Sequence, residues 1–196
     1  MSPATPDSAR LSAPQLLDDA ALGRTLVRLA HEVCERHGED ADPPVLVGIR
    51  TRGVPLAQRL ARLVAALGRP IPSVAALDLT DFRDDRPRVE PRSGGLSAVE
   101  PDTIVPTIQG RLVILVDDVV QTGRSLRAAI DAVLFEGRPS SLELLVLVDR
   151  GHREFPLRAT YVGKNVSTAS SERVQVKLRE IDGIEGAWIT VPEAEA

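Results

Sequence analysis

The chain has 196 residues, of which 43% are hydrophobic and 27% charged, and its formal net charge is −4. This composition excludes a disordered, collagenous or disulfide-built chain, and the negative balance argues against a protein that coats nucleic acid through a generally positive surface. The longest apolar runs, such as Leu144–Val148, are far shorter than the roughly 20 residues that cross a bilayer, so we expect no membrane partner. The single cysteine, Cys34, suits a reducing compartment, and we expect a cytoplasmic protein.

The length predicts one domain of middling size between two short tails. Residues 1–15 have Pro and Asp where a secretory signal would need an apolar core, and we expect them to form a loose N-terminal tail. The domain is expected to span residues 16–191, followed by a C-terminal tail over residues 192–196. Helix-period and strand-period segments alternate along it, which predicts an α/β fold around a mostly parallel sheet.

The first predicted element is an amphipathic helix. Asp18 is a suitable N-cap, and Gly38 ends a helix that reaches about His37. Its apolar residues recur at helical spacing and are Leu22, Leu26, Leu29, Ala30 and Val33.

A strand, a turn, a helix and a second strand are predicted next. The strand Val45–Ile49 leads through the turn Arg50–Gly53 into a helix over Val54–Leu67, and the second strand covers Val74–Thr80. Residues 82–110 are rich in Pro, Gly and charge and have no clear period. Loops of such length in compact domains are usually functional, so we expect a flexible lid here.

The most informative segment starts with the apolar run Arg111–Val116, which is typical of a strand buried on both faces of a parallel sheet. Asp117 and Asp118 follow this run, and the turn Thr122–Ser125 leads into a further helix. That helix is predicted to bury Leu126, Ala129, Ile130, Val133 and Leu134.

Ligands of α/β sheets bind outside the carboxyl ends of the strands, which is where Asp117 and the turn Thr122–Ser125 are expected. The turn offers backbone N–H groups, hydroxyls and a positive helix end, which together suit a phosphate. Adjacent carboxylates suit the hydroxyls of a diol, or a magnesium ion held through water. The segment therefore predicts a site for a ribose phosphate.

The Asp-Asp pair and the predicted phosphate site also have other interpretations. A bare Asp-Asp pair is more often a turn cap beside a solvated residue, but here it stands between an apolar strand and a Thr-Gly-Arg-Ser turn. A P-loop kinase is excluded because the pair Gly163–Lys164 lacks the required frame, and no G-x-G-x-x-G motif of a dinucleotide-binding protein is present.

The segment Val113–Ser125 resembles the phosphoribosyl-pyrophosphate signature of the type I phosphoribosyltransferases. More narrowly, the chain is similar to the bacterial family of pyrimidine operon attenuators and uracil phosphoribosyltransferases, from about Leu16 to Ile189. The other stretches that carry this resemblance are Arg28–Glu32, Gly48–Gly53, Leu77–Thr80 with Arg83–Asp85, Val148–Glu154 and Tyr161–Asn165.

This resemblance implies a type I phosphoribosyltransferase fold: a central, mostly parallel sheet flanked by helices, with a flexible hairpin and a small C-terminal hood. It also implies that Asp117 and Asp118 bind the ribose hydroxyls and that Mg²⁺ accompanies the phosphoribosyl pyrophosphate rather than being held by the protein alone. The turn after the first strand becomes the pyrophosphate loop, often built around a non-proline cis peptide. The implied nucleotide-binding residues are Thr51, Arg52, Gly53, Asp117, Asp118, Val119, Val120, Gln121, Thr122, Gly123, Arg124 and Ser125.

The resemblance assigns further roles outside this set. Arg83 in the lid is a candidate to reach the pyrophosphate, although a solvated loop charge is nearly as good an interpretation. Arg150 and Val174 are expected on the base side of the site. Side-chain identity barely distinguishes uracil from another base there, because backbone groups are expected to recognise the base edge.

A second, RNA-binding activity is implied by a basic stripe on the first helix. Arg24, Arg28 and His31 have the spacing of one helix face, which is otherwise typical of a solvated surface. Val27 departs from the Thr that is common in relatives, and Gln121 departs from a common Tyr. The RNA-binding residues implied by the resemblance are Arg28, His31, Arg138, Arg158 and Lys164.

The expected enzymatic function is the transfer of a phosphoribosyl group to uracil, which gives UMP and pyrophosphate. The expected regulatory function is transcription attenuation of pyrimidine genes, in which the protein binds their leader mRNA when UMP or UTP is bound. A homodimer or larger homo-oligomer is expected from the resemblance. Two alternatives stay open: a phosphoribosyltransferase for another base without RNA binding, and an RNA-binding regulator with weak catalysis.

Overall fold

The computed structural model describes residues 13–38, 42–82, 95–100 and 104–191. In these ranges the chain forms nine strands and four helices. In chain order they are β1 (Gln15–Leu17), α1 (Asp19–Arg36), β2 (Val45–Ile49), α2 (Gly53–Ala66), β3 (Ser73–Leu77), β4 (Leu96–Ala98), β5 (Leu112–Val120), α3 (Arg124–Glu136), β6 (Ser141–Asp149), β7 (Tyr161–Asn165), β8 (Arg173–Lys177), α4 (Arg179–Asp182) and β9 (Gly186–Thr190).

A six-stranded sheet with the order β4-β3-β2-β5-β6-β7 forms the centre of the fold. All neighbouring strands are parallel except β4, which runs antiparallel to β3. Alternate residues of β5 face opposite sides, so that Ile114 joins the core beneath α1 and α2, whereas Leu115 joins the core beneath α3. The predicted α/β architecture with helices on both faces is confirmed.

The first helix begins and ends where its sequence predicts. The Asp18 side chain accepts a hydrogen bond from the N–H of Ala21 at 2.7 Å, which satisfies one donor of the first turn. The helix ends at Arg36, and Gly38 adopts a left-handed conformation with φ of 60°. All five apolar residues predicted for its inner face are buried.

A buried polar cluster fixes the end of α1 against β6 and β7. The Glu143 carboxylate accepts hydrogen bonds from the Tyr161 hydroxyl at 2.7 Å and from Nε of Arg36 at 3.0 Å, and His37 Nε2 lies 3.0 Å from it. Burial alone would raise the pKa of Glu143, but these partners hold it below its ordinary value. The carboxylate is therefore satisfied as an anion, and the exposed face of α1 is held in a fixed orientation to the sheet.

The C-terminal hood is a second, three-stranded sheet with the order β1-β9-β8. Two arginines fasten it to the main domain: Arg52 pairs with Asp182 of α4, and Arg59 of α2 pairs with Glu180 and Glu185. The strand β1 begins at Gln15, which pairs with Trp188, one residue before the predicted domain boundary.

Several boundaries differ from those predicted. The helix α2 begins at Gly53 rather than Val54, and β3 ends at Leu77 rather than Thr80. Leu134 is 53% exposed, so its assignment to the buried face of α3 was wrong. The buried residues of this helix are Leu126, Ala128, Ala129, Ala132 and Val133, so alanines rather than Leu134 complete the face that packs on the core. Within the described ranges, no helix has the length and apolarity that a membrane span requires.

Candidate active site

The pairing of β5 creates a notch in the sheet. Its ladder with β2 ends where Gly48 faces Val116, whereas its ladder with β6 continues to the pairing of Val120 with Asp149. Asp117 and Asp118 therefore lie within β5, not beyond its end as the sequence predicts. Hydrophobicity marks the end of the strand at Val116 because the next residues are polar, but backbone pairing with β6 carries the strand four residues further.

A cavity of about 480 Å³ lies against this extension of β5. It is lined by Asp117, by Val119 and Val120, and by residues of the turn Gln121–Ser125, which we name the cavity turn. Arg150 and Val174 complete the lining together with three residues that were not singled out from the sequence, because no local motif marks them: Ser170, Glu172 and Arg173.

The two acids differ in their surroundings. Asp117 lines the cavity, and burial raises its pKa well above the ordinary value, reinforced by the charge of Asp118. Burial also raises the pKa of Asp118, but the N–H of Val119 at 2.8 Å and the positive charge of Arg52 oppose that rise. One carboxyl group therefore faces the cavity, and the other lies in the field of the Arg50–Gly53 turn.

The cavity turn has a backbone that requires glycine. Gly123 has φ of 87°, which a residue with a side chain rarely adopts, and it directly precedes the first residue of α3. The Thr122 hydroxyl accepts a hydrogen bond from the N–H of Arg124 at 3.3 Å. The N-terminus of α3 thus lies beside the cavity with Gln121, Thr122, Gly123 and Ser125 in its lining, an arrangement that suits an anion.

The turn between β2 and α2 lies near the same edge of the sheet. The peptide bond between Arg50 and Thr51 is cis, and Gly53 lies so close to β5 that an added Cβ would stand 2.2 Å from the carbonyl oxygen of Val116. Arg52 donates from Nε and Nη2 to the Asp182 carboxylate at 3.2 and 2.7 Å. The guanidinium predicted to hold pyrophosphate is thus already paired with the hood, a contact between residues 130 positions apart that the sequence does not reveal.

The two residues predicted on the base side both line the cavity. Arg150 is only 3% exposed; it donates to the Thr168 hydroxyl at 3.2 Å and to the Ala169 carbonyl at 3.4 Å. Burial lowers the pKa of its guanidinium. Val174 of β8 also lines the cavity. The backbone N–H of Arg150 donates to the carbonyl of Val120 at 3.1 Å, so a buried cation lies directly beside the end of β5.

The lid is described in part. Phe82 packs edge-on against Phe135 of α3, with ring centroids 5.9 Å apart, and β4 pairs with β3 within the predicted lid range. Arg83, the residue predicted to reach the pyrophosphate, lies outside the described residues, so its role stays a prediction.

The basic residues predicted to contact RNA are not all on one surface. Arg28 and His31 are exposed on α1, and Arg28 also donates to the carbonyls of Val162 and Gly163, at 3.1 and 2.6 Å, which brings it close to Lys164. Val27, beside them, is 42% exposed. Arg138 follows α3, which packs against the opposite face of the sheet. Arg158 is exposed in the loop before β7.

A metal site made by the protein alone is not found: the described part of the chain contains no cluster of three or more His, Cys, Asp or Glu side chains that could hold an ion. Asp117 and Asp118 provide the hard oxygen atoms that Mg²⁺ prefers, and two carboxylates with substrate phosphates are a common donor set for this ion. The residues present therefore fit Mg²⁺ bound together with a phosphorylated substrate.

Comparison with known proteins agrees with this fold. Residues 12–180 match the phosphoribosyl transferase domain model. The chain is 51% identical over 173 residues to the bifunctional protein PyrR of Pelotomaculum thermopropionicum, covering 87% of this chain and 92% of the relative. It is also 51% identical over 172 residues to the bifunctional protein PyrR of Chloroflexus aurantiacus, covering 87% of this chain and 91% of that relative.

Solved structures with the same fold include hypoxanthine phosphoribosyltransferases. The Trypanosoma cruzi enzyme has a TM-score of 0.68 at 18% identity, covering 94% of this chain and 99% of the other. The Staphylococcus aureus enzyme has a TM-score of 0.68 at 17% identity, covering 97% and 98%. These similarities confirm the predicted type I phosphoribosyltransferase fold. The chain belongs to the phosphoribosyltransferase family and, within it, to the bifunctional PyrR proteins.

The raised pKa of Asp117 predicts an unusual effect of pH on stability. As pH rises above about 4, the unfolded chain releases this proton before the folded chain does, so the wild type loses stability up to the raised native pKa. The amide of Asp117→Asn has no such cost. We expect this variant to unfold at higher urea concentration than the wild type at pH 7.5, with a gain that shrinks towards pH 4.

The matched control is Asp131→Asn, which changes an exposed carboxylate on α3 that pairs with Arg127 at 3.2 Å. It should show no comparable gain at pH 7.5. An Asp117→Asn variant no more stable than the wild type at pH 7.5 would contradict the assignment of Asp117 as a buried, destabilising acid.

Proposed function

We propose that the protein is a uracil phosphoribosyltransferase that converts uracil and phosphoribosyl pyrophosphate to UMP and pyrophosphate, and that the same protein regulates pyrimidine genes by binding leader mRNA. The observation that supports the first activity most strongly is the cavity itself. It brings Asp117, residues of the cavity turn, Arg150 and Val174 into the lining of one cavity. A carboxyl group, a turn at a helix N-terminus and an apolar side chain suit the hydroxyls, the phosphate and the base of a nucleotide.

In the proposed reaction, the bond between C1 of the ribose and pyrophosphate breaks, and C1 forms a bond to a ring nitrogen of uracil that loses its proton. Asp117 and Asp118 bind the ribose hydroxyls, while the N–H groups of Thr122–Ser125 hold the 5-phosphate. The protein contributes mainly by positioning the reactants and by opposing developing charge. Asp117 or Asp118 would hold Mg²⁺ through water together with the substrate, and the ion would neutralise charge on pyrophosphate.

The remaining assignments belong to the leaving group and the base. Thr51, Arg52 and Gly53 hold pyrophosphate, which requires Arg52 to exchange its contact with Asp182 for the anion or to share its donors between both. Arg83 approaches from the lid, and lid closure excludes the water that would hydrolyse the substrate. Arg150 and Val174 contact the base side of the nucleotide.

The enzymatic proposal predicts turnover of uracil with phosphoribosyl pyrophosphate and Mg²⁺. We expect the double variant Asp117→Asn/Asp118→Asn to lose about 100-fold or more in kcat/KM, because interactions with developing charge contribute this much in other enzymes. Formation of UMP from labelled uracil measures the effect, with Asp131→Asn as a surface control that retains wild-type turnover.

The same assay tests the alternative of another base. The structural neighbours are hypoxanthine phosphoribosyltransferases, so hypoxanthine and guanine should be assayed beside uracil. Turnover of a purine base without turnover of uracil would contradict the proposed substrate.

The regulatory proposal rests on the exposed residues Arg28 and His31 of α1 and on Lys164 beside them. Basic side chains on one surface suit the phosphates of an RNA hairpin. Arg158 would extend this surface, and Arg138 would contribute from the other side of the sheet or from a second subunit of a homodimer or larger assembly. UMP or UTP in the active site would favour the RNA-binding state, and RNA would then strengthen nucleotide binding equally by linkage.

We expect His31→Gln and Arg28→Gln each to weaken binding of the host's own pyrimidine leader RNA about tenfold, while turnover of uracil stays within about twofold. Arg28→Gln removes a permanent charge and should also lower the salt dependence of binding. Arg62→Gln, which removes an exposed arginine from α2, is the control. Titration of labelled RNA with and without UMP measures both effects. An RNA affinity that does not respond to uridine nucleotides would contradict the coupling, and unchanged affinity in both variants would contradict the assigned surface.

A further inference from the structure

The segment Arg153–Phe155, which we name the supporting segment, packs against the outside of the cavity turn. The backbone N–H groups of Glu154 and Phe155 both donate to the carbonyl oxygen of Thr122, at 2.9 and 3.1 Å. Arg153 donates from Nη1 to the carbonyl oxygen of Gln121 at 2.6 Å. Three donors from one short segment therefore hold two successive carbonyl groups of the turn.

These contacts determine where the N–H groups of the turn point. In a trans peptide unit, the carbonyl and the N–H that share the C–N bond point in opposite directions. Since the carbonyls of Gln121 and Thr122 are held towards the supporting segment, the N–H groups of Thr122 and Gly123 point the other way. Both residues line the cavity, so their N–H groups are directed to its anion-binding side.

The Arg153 guanidinium is held in place by its own partners. It pairs with the Asp149 carboxylate at the end of β6 and donates from Nε to the carbonyl of Leu157 at 3.0 Å. Its side chain is 20% exposed, and its donors are directed to groups of the protein. The residue is thus suited to fixing a backbone rather than to contacting a ligand at the surface.

Side chains of the supporting segment contact the start of α3 as well. The Glu154 carboxylate accepts from Nε of Arg124 at 2.7 Å, and the Arg124 guanidinium stands 5.6 Å from the centre of the Phe155 ring. An added Cβ on Gly123 would lie 3.4 Å from Cβ of Phe155. The turn is therefore enclosed on its outer side by the segment.

We propose that Arg153 is a positioning residue for phosphate binding: with the N–H groups of Glu154 and Phe155, it orients the cavity turn so that the N–H groups of Thr122 and Gly123 receive the 5-phosphate of the substrate. This inference rests on the proposed binding of a ribose 5-phosphate in the cavity. It assigns the segment after β6 to the phosphate end of the site, a role separate from the one proposed for Arg150 and Val174.

The test compares Arg153→Met, Arg153→Lys and the wild type in calorimetric titrations with ribose 5-phosphate. Met retains much of the apolar stem but has no donor, so we expect a Kd raised about tenfold, consistent with the loss of groups that orient a ligand-binding shell. Lys can donate to the Gln121 carbonyl but cannot hold Asp149 and Leu157 with the same planar fork, so its Kd should lie between the other two. Arg62→Met, which changes an exposed arginine of α2, should bind as the wild type does.

Steady-state kinetics provide a readout that a general loss of folding would not give. We expect Arg153→Met to raise KM for phosphoribosyl pyrophosphate about tenfold, while kcat and KM for the base change by less than about twofold. Ribose 5-phosphate binding as tight in Arg153→Met as in the wild type would overturn the inference while leaving the proposed function intact, as would equal losses for both substrates. Failure of the wild type to bind ribose 5-phosphate would overturn both. Should Arg153→Met not fold, the Lys variant decides by the same two readouts.

Discussion

The extension of β5 beyond its neighbour β2 is the constraint on which the site depends. A strand that ended at Val116 would leave Asp117 on a loose loop, whereas continued pairing with β6 to Val120 places it in a rigid ladder. The end of the β2 ladder at Gly48 leaves one side of this extension open to the cavity. Burial raises the pKa of Asp117 and opposes its ionisation, so keeping this carboxyl group buried costs free energy of folding. The surrounding sheet offsets that cost.

Three other parts of the fold complete the site around this extension. The cavity turn continues from β5 into α3, the segment after β6 encloses that turn from outside, and the hood contributes Val174 to the lining. The pair between Arg52 and Asp182 joins the hood to the turn after β2. The cavity turn, the segment after β6 and the hood are therefore connected to one another around the cavity.

Local signals in the sequence predict much of this arrangement. The cap at Asp18, the apolar run before Asp117 and the glycine at position 123 act within a few residues of themselves, so the elements they mark are placed correctly or within a few residues. Backbone pairing between distant segments leaves no such signal. The length of β5, the joining of β1 to β9, and the contact of Arg52 with Asp182 therefore emerge only from the structure. The exposure of Leu134 likewise emerges only from the structure.

The central claim is that this cavity holds a ribose phosphate with its phosphate at the N-terminus of α3. A crystal structure of the protein with bound ribose 5-phosphate measures it most directly. The account predicts the phosphate oxygens within hydrogen-bond distance of backbone N–H groups in Thr122–Ser125 and the ribose hydroxyls facing Asp117. A phosphate bound at another part of the molecule, or a ribose turned away from Asp117, would contradict it.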